Sequence, residues 1–263
     1  MNAPVKTPLT IDPRFLPNQL MIKGDGKPVV YLHGSFGQEW SAPLDALAER
    51  RRVIAPSNVG AFDLDELAHM DGLLDLLIYY DDVFNRLGLE SFDLVGHGFG
   101  GMVAAEYAAL FNRRIDRLVL IDALGLWRND QPVADYNYVP ADQVPLLMFH
   151  DLENPGVQEL FASQPTEKNE IIGTALDRMT ALGSTNHFLW PIPERGLHKR
   201  LGRIKAPTLI LWGAQDRIVP PVYAQEFASR IADAKVVMIE GAGHAPQVEQ
   251  PGAISAALAD FLS

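Results

Sequence analysis

Residues 94–101 read Leu-Val-Gly-His-Gly-Phe-Gly-Gly, and they decide the fold of this chain. The apolar run that ends at Val95 predicts a buried strand. The small residues that follow Phe99 predict a helix that can pack closely on a sheet. Glycines alternate through the turn at positions 96, 98 and 100. The stretch therefore predicts a strand, a sharp turn and a helix.

This turn matches the nucleophile elbow, G-x-S-x-G, in all but its central residue. The central serine of that pattern sits on a strained strand-to-helix turn, which exposes its hydroxyl at the top of the sheet. Gly98 stands where the pattern has serine. Because glycine has no Cβ, it relieves a backbone strain of about 1–3 kcal/mol, but it offers no nucleophile.

Short apolar runs and helical patterns alternate on both sides of the turn. Strands are predicted at 29–32, 53–55, 92–95, 118–121, 208–212 and 235–239, and helices at 71–87, 99–111 and 253–262. The residues available for the buried face of the first helix are Leu74, Leu77, Ile78, Phe84 and Leu87. This alternation predicts an α/β fold with a mostly parallel sheet and helices on both faces.

Residues 125–200 interrupt the alternation. The segment is rich in prolines and aromatic residues, and it has a helical pattern at 170–182. We interpret it as a helical cap (lid) inserted into a core formed by 1–124 and 201–263. A second independent domain is the alternative, but the segment is small and interrupted by prolines.

Composition excludes several classes of protein. The net charge of −11 argues against binding to nucleic acid or to anionic membranes, which need a basic surface. The absence of cysteine excludes disulfides, thiolate metal sites and cysteine nucleophiles. No apolar run is long enough to span a bilayer, and residues 1–17 lack the apolar core of a signal peptide. We therefore expect a cytoplasmic enzyme that acts on a small molecule.

Three further loops follow predicted strands and carry candidate site residues. Residues 33–37 form a glycine-rich turn whose backbone N–H groups suit an oxyanion hole. Asp216 and His244 lie in the loops after the last two predicted strands. Taken singly, Asp216 is better explained as a turn former and His244 as a bystander. Their order along the chain (elbow, acid, histidine) is that of a Ser-Asp-His triad, and loops at the carboxyl ends of parallel strands meet at one edge.

The sequence resembles the α/β-hydrolase fold family over nearly its whole length. The matching motifs are His33-Gly34, residues 96–101, residues 213–220 and residues 241–244. The resemblance implies an eight-stranded sheet with an inserted cap, and lipase-, esterase- or carbon–carbon-bond-hydrolase-like chemistry. It assigns His244 as general base, Asp216 as the residue that orients it, and the N–H groups of Ser35 and Phe99 as oxyanion donors. The sequence departs from the family at Gly98 and at residues 57–63, where the usual D-x-x-G-x-G is absent.

Three functions are compatible with these residues. The first, which we favour, is a serine-hydrolase scaffold whose nucleophile is replaced by Gly98, with hydrolysis of a carboxylic ester or related acyl compound as the parent activity. The second is nucleophile-free acid–base chemistry by the His244–Asp216 pair, as in a lyase, cyclase or isomerase. The third is a non-catalytic receptor, which would have no need of a base.

Aromatic residues of the cap and of the oxyanion loop predict an apolar or aromatic acyl substrate. The candidates for substrate binding are Phe36, Trp127, His150 and Trp190. No metal or cofactor is expected, because the seven histidines lack ligand spacing and residues 96–101 do not open a dinucleotide-binding unit. Asp122, at the end of the strand predicted at 118–121, is in a plausible position for an acid and is a candidate spare carboxylate. The interpretation that we favour is that it caps or orders the start of the cap segment.

Overall fold

The computed structural model describes residues 3–189 and 194–263. Within these residues the chain forms one eight-stranded sheet in the order β1-β2-β4-β3-β5-β6-β7-β8. The strands are β1 (Val5–Leu9), β2 (Asn18–Lys23), β3 (Pro28–Leu32), β4 (Arg52–Ala55), β5 (Phe92–His97), β6 (Ile115–Ile121), β7 (Thr208–Gly213) and β8 (Ala234–Ile239). The predicted α/β fold with an eight-stranded, mostly parallel sheet is thus confirmed.

The sheet changes direction at its amino-terminal edge. β2 pairs antiparallel with both β1 and β4, whereas β3 to β8 pair parallel with their neighbours. The strands β1 and β2 were not predicted. β1 is largely exposed, so it lacks the apolar run that marks the central strands.

Helices cover both faces of the sheet. They are α1 (Ala42–Ala48), α2 (Leu73–Arg86), α3 (Phe99–Leu110), α4 (Val144–Met148), α5 (Pro155–Ala162), α6 (Lys168–Leu189), α7 (Val222–Ala228), α8 (Pro246–Glu249) and α9 (Pro251–Phe261). None of the helices in the described part of the chain has both the length and the apolar composition needed to cross a bilayer.

The buried face of α2 differs from the predicted one. Leu77 and Phe84 are buried as expected, but Leu74 is 60% exposed and Ile78 is 47% exposed. Tyr79 and Tyr80 take part in the buried face instead, together with Leu76 and Val83. The predicted face was therefore rotated about the helix axis from the buried one, which is centred on Leu76, Tyr80 and Val83.

Close packing of α3 on the sheet explains its small residues. A Cβ at Gly100 would lie 2.1 Å from the carbonyl oxygen of Leu32. Ala104, Ala105 and Ala108 are also buried against the sheet side of the core. A larger residue at position 100 would push the helix away from β3, and with it the turn that begins the helix.

Residues 125–200 connect β6 to β7 and contain α4, α5 and α6. The helix predicted at 170–182 lies within α6, which is longer at both ends. Ser184 of α6 joins this segment to the loop after β4: its hydroxyl donates to the carbonyl of Val59 (2.7 Å) and accepts from the side-chain amide of Asn58 (2.7 Å). The segment thus lies over residues that follow β4.

Candidate active site

Four loops meet at the carboxyl edge of the parallel strands. They follow β3, β5, β7 and β8, and they contain Ser35, Gly98, Asp216 and His244 respectively. Adjacent parallel strands end at the same edge, so residues far apart in sequence become neighbours here. The structure brings together the residues that the sequence placed in one site.

Gly98 forms the turn between β5 and α3. Its backbone has φ +53° and ψ −113°, in the left-handed half of conformational space that favours glycine. Its N–H donates to Ile121 (2.9 Å), and its carbonyl accepts from Met102 (3.2 Å) and Leu124 (3.0 Å). A Cβ added here would lie 3.1 Å from Nε2 of His244, which is tighter than an ordinary side-chain contact. The imidazole therefore lies directly against the position of the missing nucleophile.

His244 and Asp216 form a buried hydrogen-bonded pair. Nδ1 of His244 lies 2.8 Å from Oδ2 of Asp216. The other oxygen of Asp216 accepts from the N–H groups of Ile218 (2.7 Å) and Val219 (2.9 Å). Because the carboxylate only accepts, the proton of the neutral ring is on Nδ1, and Nε2 presents a lone pair towards Gly98.

Two backbone N–H groups in the loops after β3 and β5, those of Ser35 and Phe99, have no acceptor among the described residues. Phe99 is the first residue of α3, so its N–H has no partner within the helix. The Ser35 hydroxyl accepts a hydrogen bond of 2.7 Å from the Tyr136 hydroxyl, which comes from the segment over the site. Free N–H groups at a helix N-terminus are suited to binding negative charge.

His33 has a structural contact. Its Nδ1 donates to the carbonyl of Gly34 (2.8 Å), and its Nε2 accepts from the N–H of Asn58 (3.1 Å). Burial lowers the pKa of His33. The ring thus links the loop after β3 to the loop after β4, as a neutral side chain.

His97 supports the loop that carries His244. Nε2 of His97 donates to the backbone carbonyl of His244 (2.7 Å), and its Nδ1 lies 3.6 Å from Glu39. Burial lowers the pKa of His97, but interaction with Glu39 outweighs it and the pKa is raised. Burial likewise raises the pKa of Glu39, and His97 together with the Tyr31 hydroxyl lowers it to about 2. A charged pair therefore lies behind the loop that carries His244.

Asp122 is a second acidic residue beside His244; sequence reasoning had noted its plausible position for an acid but favoured a role in ordering the cap. It follows β6 directly and is fully buried, and its Oδ1 accepts from the N–H of Gly213 (2.8 Å). One oxygen of Asp122, one of Asp216 and a ring nitrogen of His244 all lie within 4.8 Å of one another. Within this group the hydrogen bond between His244 and Asp216 is formed, whereas Oδ2 of Asp122 has no partner among the described residues. Its position at the end of a parallel strand was the available signal.

The four predicted substrate-binding residues differ in position. Phe36 is half-buried, and its ring centroid lies 5.4 Å from that of Tyr136, above Ser35. Trp127 is also half-buried, and its indole N–H donates to Asn129. His150 is exposed, and its backbone N–H donates to Glu249. Trp190 lies outside the described residues.

The family model described as the alpha/beta hydrolase family matches residues 29–257. This chain therefore belongs to the α/β-hydrolase family. The match spans the sheet from β3 onward and includes every loop of the candidate site.

Named relatives lie in two branches of hydrolase chemistry. The 2-hydroxy-6-oxo-2,4-heptadienoate hydrolase of Pseudomonas putida is 28% identical over 269 residues, covering 91% of this chain and 90% of that protein. A monoacylglycerol lipase of Homo sapiens is 25% identical over 270 residues, covering 91% of this chain and 76% of that protein.

A solved structure shares the fold over almost the whole chain. The 2-hydroxy-6-oxo-6-phenylhexa-2,4-dienoate hydrolase from Rhodococcus sp. superimposes with a TM-score of 0.73 and 20% identity, covering 98% of each chain. At this identity the likeness concerns the fold alone.

Proposed function

We propose that this chain hydrolyses a small carbonyl compound with His244 as general base, without a covalent intermediate on a side chain at position 98. The substrate class is a carboxylic ester or a related acyl compound, which includes the oxo-dienoates in the names of its relatives. One observation carries the proposal: the buried His244–Asp216 pair presents Nε2 to Gly98. The ring is so close that a Cβ at position 98 would lie only 3.1 Å from Nε2.

The geometry supports a direct attack by water. An oxygen within hydrogen-bond reach of Nε2 must come from solvent or substrate, because Gly98 has no side chain to supply it. Nε2 takes one proton as the water oxygen bonds to the carbonyl carbon. The resulting oxyanion accepts hydrogen bonds from the N–H groups of Ser35 and Phe99. The bond to the leaving group then breaks, and Nε2 returns its proton to the leaving atom, which is an oxygen in an ester and a carbon in an oxo-dienoate.

Residues 125–200 serve as the cap in this proposal. Tyr136 covers the oxyanion loop through its hydrogen bond to Ser35 and its contact with Phe36. A substrate with an apolar acyl part would lie against these rings, with Phe36 and Trp127 as contacts. Covering the site in this way excludes bulk water, which strengthens the hydrogen bonds to the oxyanion.

The test is hydrolysis of a panel of aryl esters, short-chain alkyl esters and 2-hydroxy-6-oxo-2,4-heptadienoate. The wild-type chain should turn over one of these classes, and His244→Ala should lose about 10²- to 10⁴-fold in rate. His69→Ala, which removes an exposed imidazole, is the matched control and should leave the rate unchanged.

The absence of a covalent intermediate is tested separately. Intact-mass measurement during turnover should show no acyl adduct, and a serine-directed phosphonate should not label the wild-type chain. Turnover that survives His244→Ala, or a labelled wild-type chain, would overturn the proposal. Failure to hydrolyse any member of the panel would favour the lyase, cyclase or isomerase alternative.

A further inference from the structure

Asp122 has an unusual backbone and an unusual environment. Among the described residues it is the one non-glycine residue with positive φ, at +45°. Its side chain is completely buried, directly beyond the end of β6. A residue with a Cβ is held in this conformation only when its surroundings require it.

One oxygen of Asp122 lacks a donor. Oδ1 accepts from the N–H of Gly213, whereas Oδ2 is buried and has no hydrogen-bond partner among the described residues. An ionised carboxylate can only accept, so this oxygen is unsatisfied unless it carries a proton. One carboxylate oxygen of Asp122 lies within 4.8 Å of an oxygen of Asp216 and of a ring nitrogen of His244.

Two buried carboxylates this close cannot both be ionised at low cost. Asp216 accepts from two backbone N–H groups and from His244, while Asp122 accepts from one N–H group. The negative charge is therefore better stabilised on Asp216, and the proton belongs to Asp122.

The remaining acid near this pair is Glu249 of α8. Its Oε2 accepts from the N–H of Gly243 (2.6 Å), and its Oε1 accepts from those of His150 (2.8 Å) and Asp151 (3.0 Å). Burial, then Asp216 and to a smaller extent Glu249, raise the pKa of Asp122.

We propose that Asp122 is a neutral carboxylic acid whose Oδ2–H donates to Asp216, and that it acts as a positioning residue for the Asp216–His244 pair. The role rests on the function proposed above. Burial and the charge of Asp216 raise the pKa of Asp122 well above its usual range, in agreement with the geometry. With this donor in place, the carboxylate of Asp216 is fixed from one side by Asp122 and from the other by backbone N–H groups.

Infrared difference spectroscopy tests the proton directly and requires no substrate. The wild-type chain should show the carbonyl stretch of a protonated carboxylic acid near neutral pH, shifted in heavy water. Asp122→Asn should abolish that band, and Asp63→Asn, which changes an exposed acid, should not. A wild-type spectrum without a band that depends on Asp122 would overturn the proposal.

The positioning role is tested by comparing two substitutions. An amide at 122 keeps an acceptor for Gly213 and a donor for Asp216, so Asp122→Asn should retain the pH–rate profile and the proton NMR signal of the His244 Nδ1–H. Asp122→Ala removes both and should shift that signal and lower the rate by about 10- to 100-fold. Equal behaviour of the two variants would refute the role.

The two proposals can fail independently. If the chain hydrolyses nothing in the panel, the infrared band and the NMR signal still decide whether Asp122 donates to Asp216. If hydrolysis occurs but the band is absent, the function stands and Asp122 is not a neutral donor.

Discussion

The histidine side and the elbow side of the site differ in what they bury. The histidine side holds Asp122, Asp216 and His244, three polar groups that would each cost several kcal/mol if buried without partners. The elbow side offers backbone groups at Gly98, in a conformation that glycine adopts without strain. Burying the three polar groups of the histidine side costs free energy, and these groups lie beside Gly98, which has no side chain. The difference indicates that the chemistry lies with the histidine.

Asp216→Asn would break the histidine side most severely. Asparagine keeps the shape of the side chain but cannot hold the proton of His244 on Nδ1, nor stabilise the imidazolium. We expect the rate to fall by about 10²- to 10⁴-fold with little change in fold. Steady-state kinetics measure it, with Asp122→Asn as the matched substitution. If Asp122→Asn is the more damaging of the two, the roles of the two acids are reversed.

Gly98→Ser and Gly98→Ala test the elbow side together. Both place a Cβ at φ +53° and 3.1 Å from Nε2 of His244, so both should lower the free energy of unfolding by about 1–3 kcal/mol. Only the serine variant supplies a hydroxyl beside the base. Denaturant unfolding measures the first effect, and labelling with a serine-directed phosphonate measures the second.

The outcome at position 98 decides how the two sides are related. A serine variant that is labelled and faster on esters than the wild-type chain would show that the histidine side is built for a triad. A serine variant that is slower than glycine on the same substrate would show that the imidazole acts on solvent or substrate directly.

Sequence reasoning found the parts of the site that follow strands with strong patterns. The strands β3, β5, β7 and β8 are apolar runs or adjoin glycine-rich motifs, so Ser35, Gly98, Asp216 and His244 could be placed at one edge before the structure was known. The whole of this placement depends on the parallel sheet, and the sheet is confirmed.

Contacts between side chains that are far apart in sequence could not be predicted. The proximity of Asp122 to Asp216 arises from the register of β6 and β7, in which Ile121 pairs with Leu211. The edge strand β1 was missed because it is largely exposed and has no continuous apolar run. The strand β2 was missed although it contains the short apolar run Leu20-Met21-Ile22. The division into core and cap at residues 125–200 stays a prediction.

Ser184→Ala would weaken the contact between α6 and the loop after β4. The buried Ser184 hydroxyl makes two hydrogen bonds of 2.7 Å, one to the side chain of Asn58 and one to the carbonyl of Val59. We expect a loss of about 1 kcal/mol in the free energy of unfolding, because the better helix propensity of alanine offsets part of the cost. Asn186→Ala, which removes a surface hydrogen bond from the same helix, should change it by less than about 0.5 kcal/mol. Equal losses in the two variants would mean that Ser184 does not anchor the helix.

Glu39→Gln tests the charged pair behind the histidine side and should have the smallest effect, since Glu39 is partly exposed. The lowered pKa of Glu39 means that its contribution to stability is complete above its ordinary value of 4.5 and is lost as the pH falls towards 2. The raised pKa of His97 means that its contribution is complete below 6.5 and is lost as the pH rises beyond that value. The pair therefore stabilises the fold most between pH 4.5 and 6.5, and the variant should differ most from the wild-type chain in that window.

Denaturant unfolding across the pH range measures the difference in the free energy of unfolding between the two proteins. This difference should narrow in alkaline buffer, where His97 is neutral in both proteins. A difference that stays constant with pH would show that Glu39 acts through its hydrogen bonds to Tyr31 and Gln247 rather than through the charge of His97.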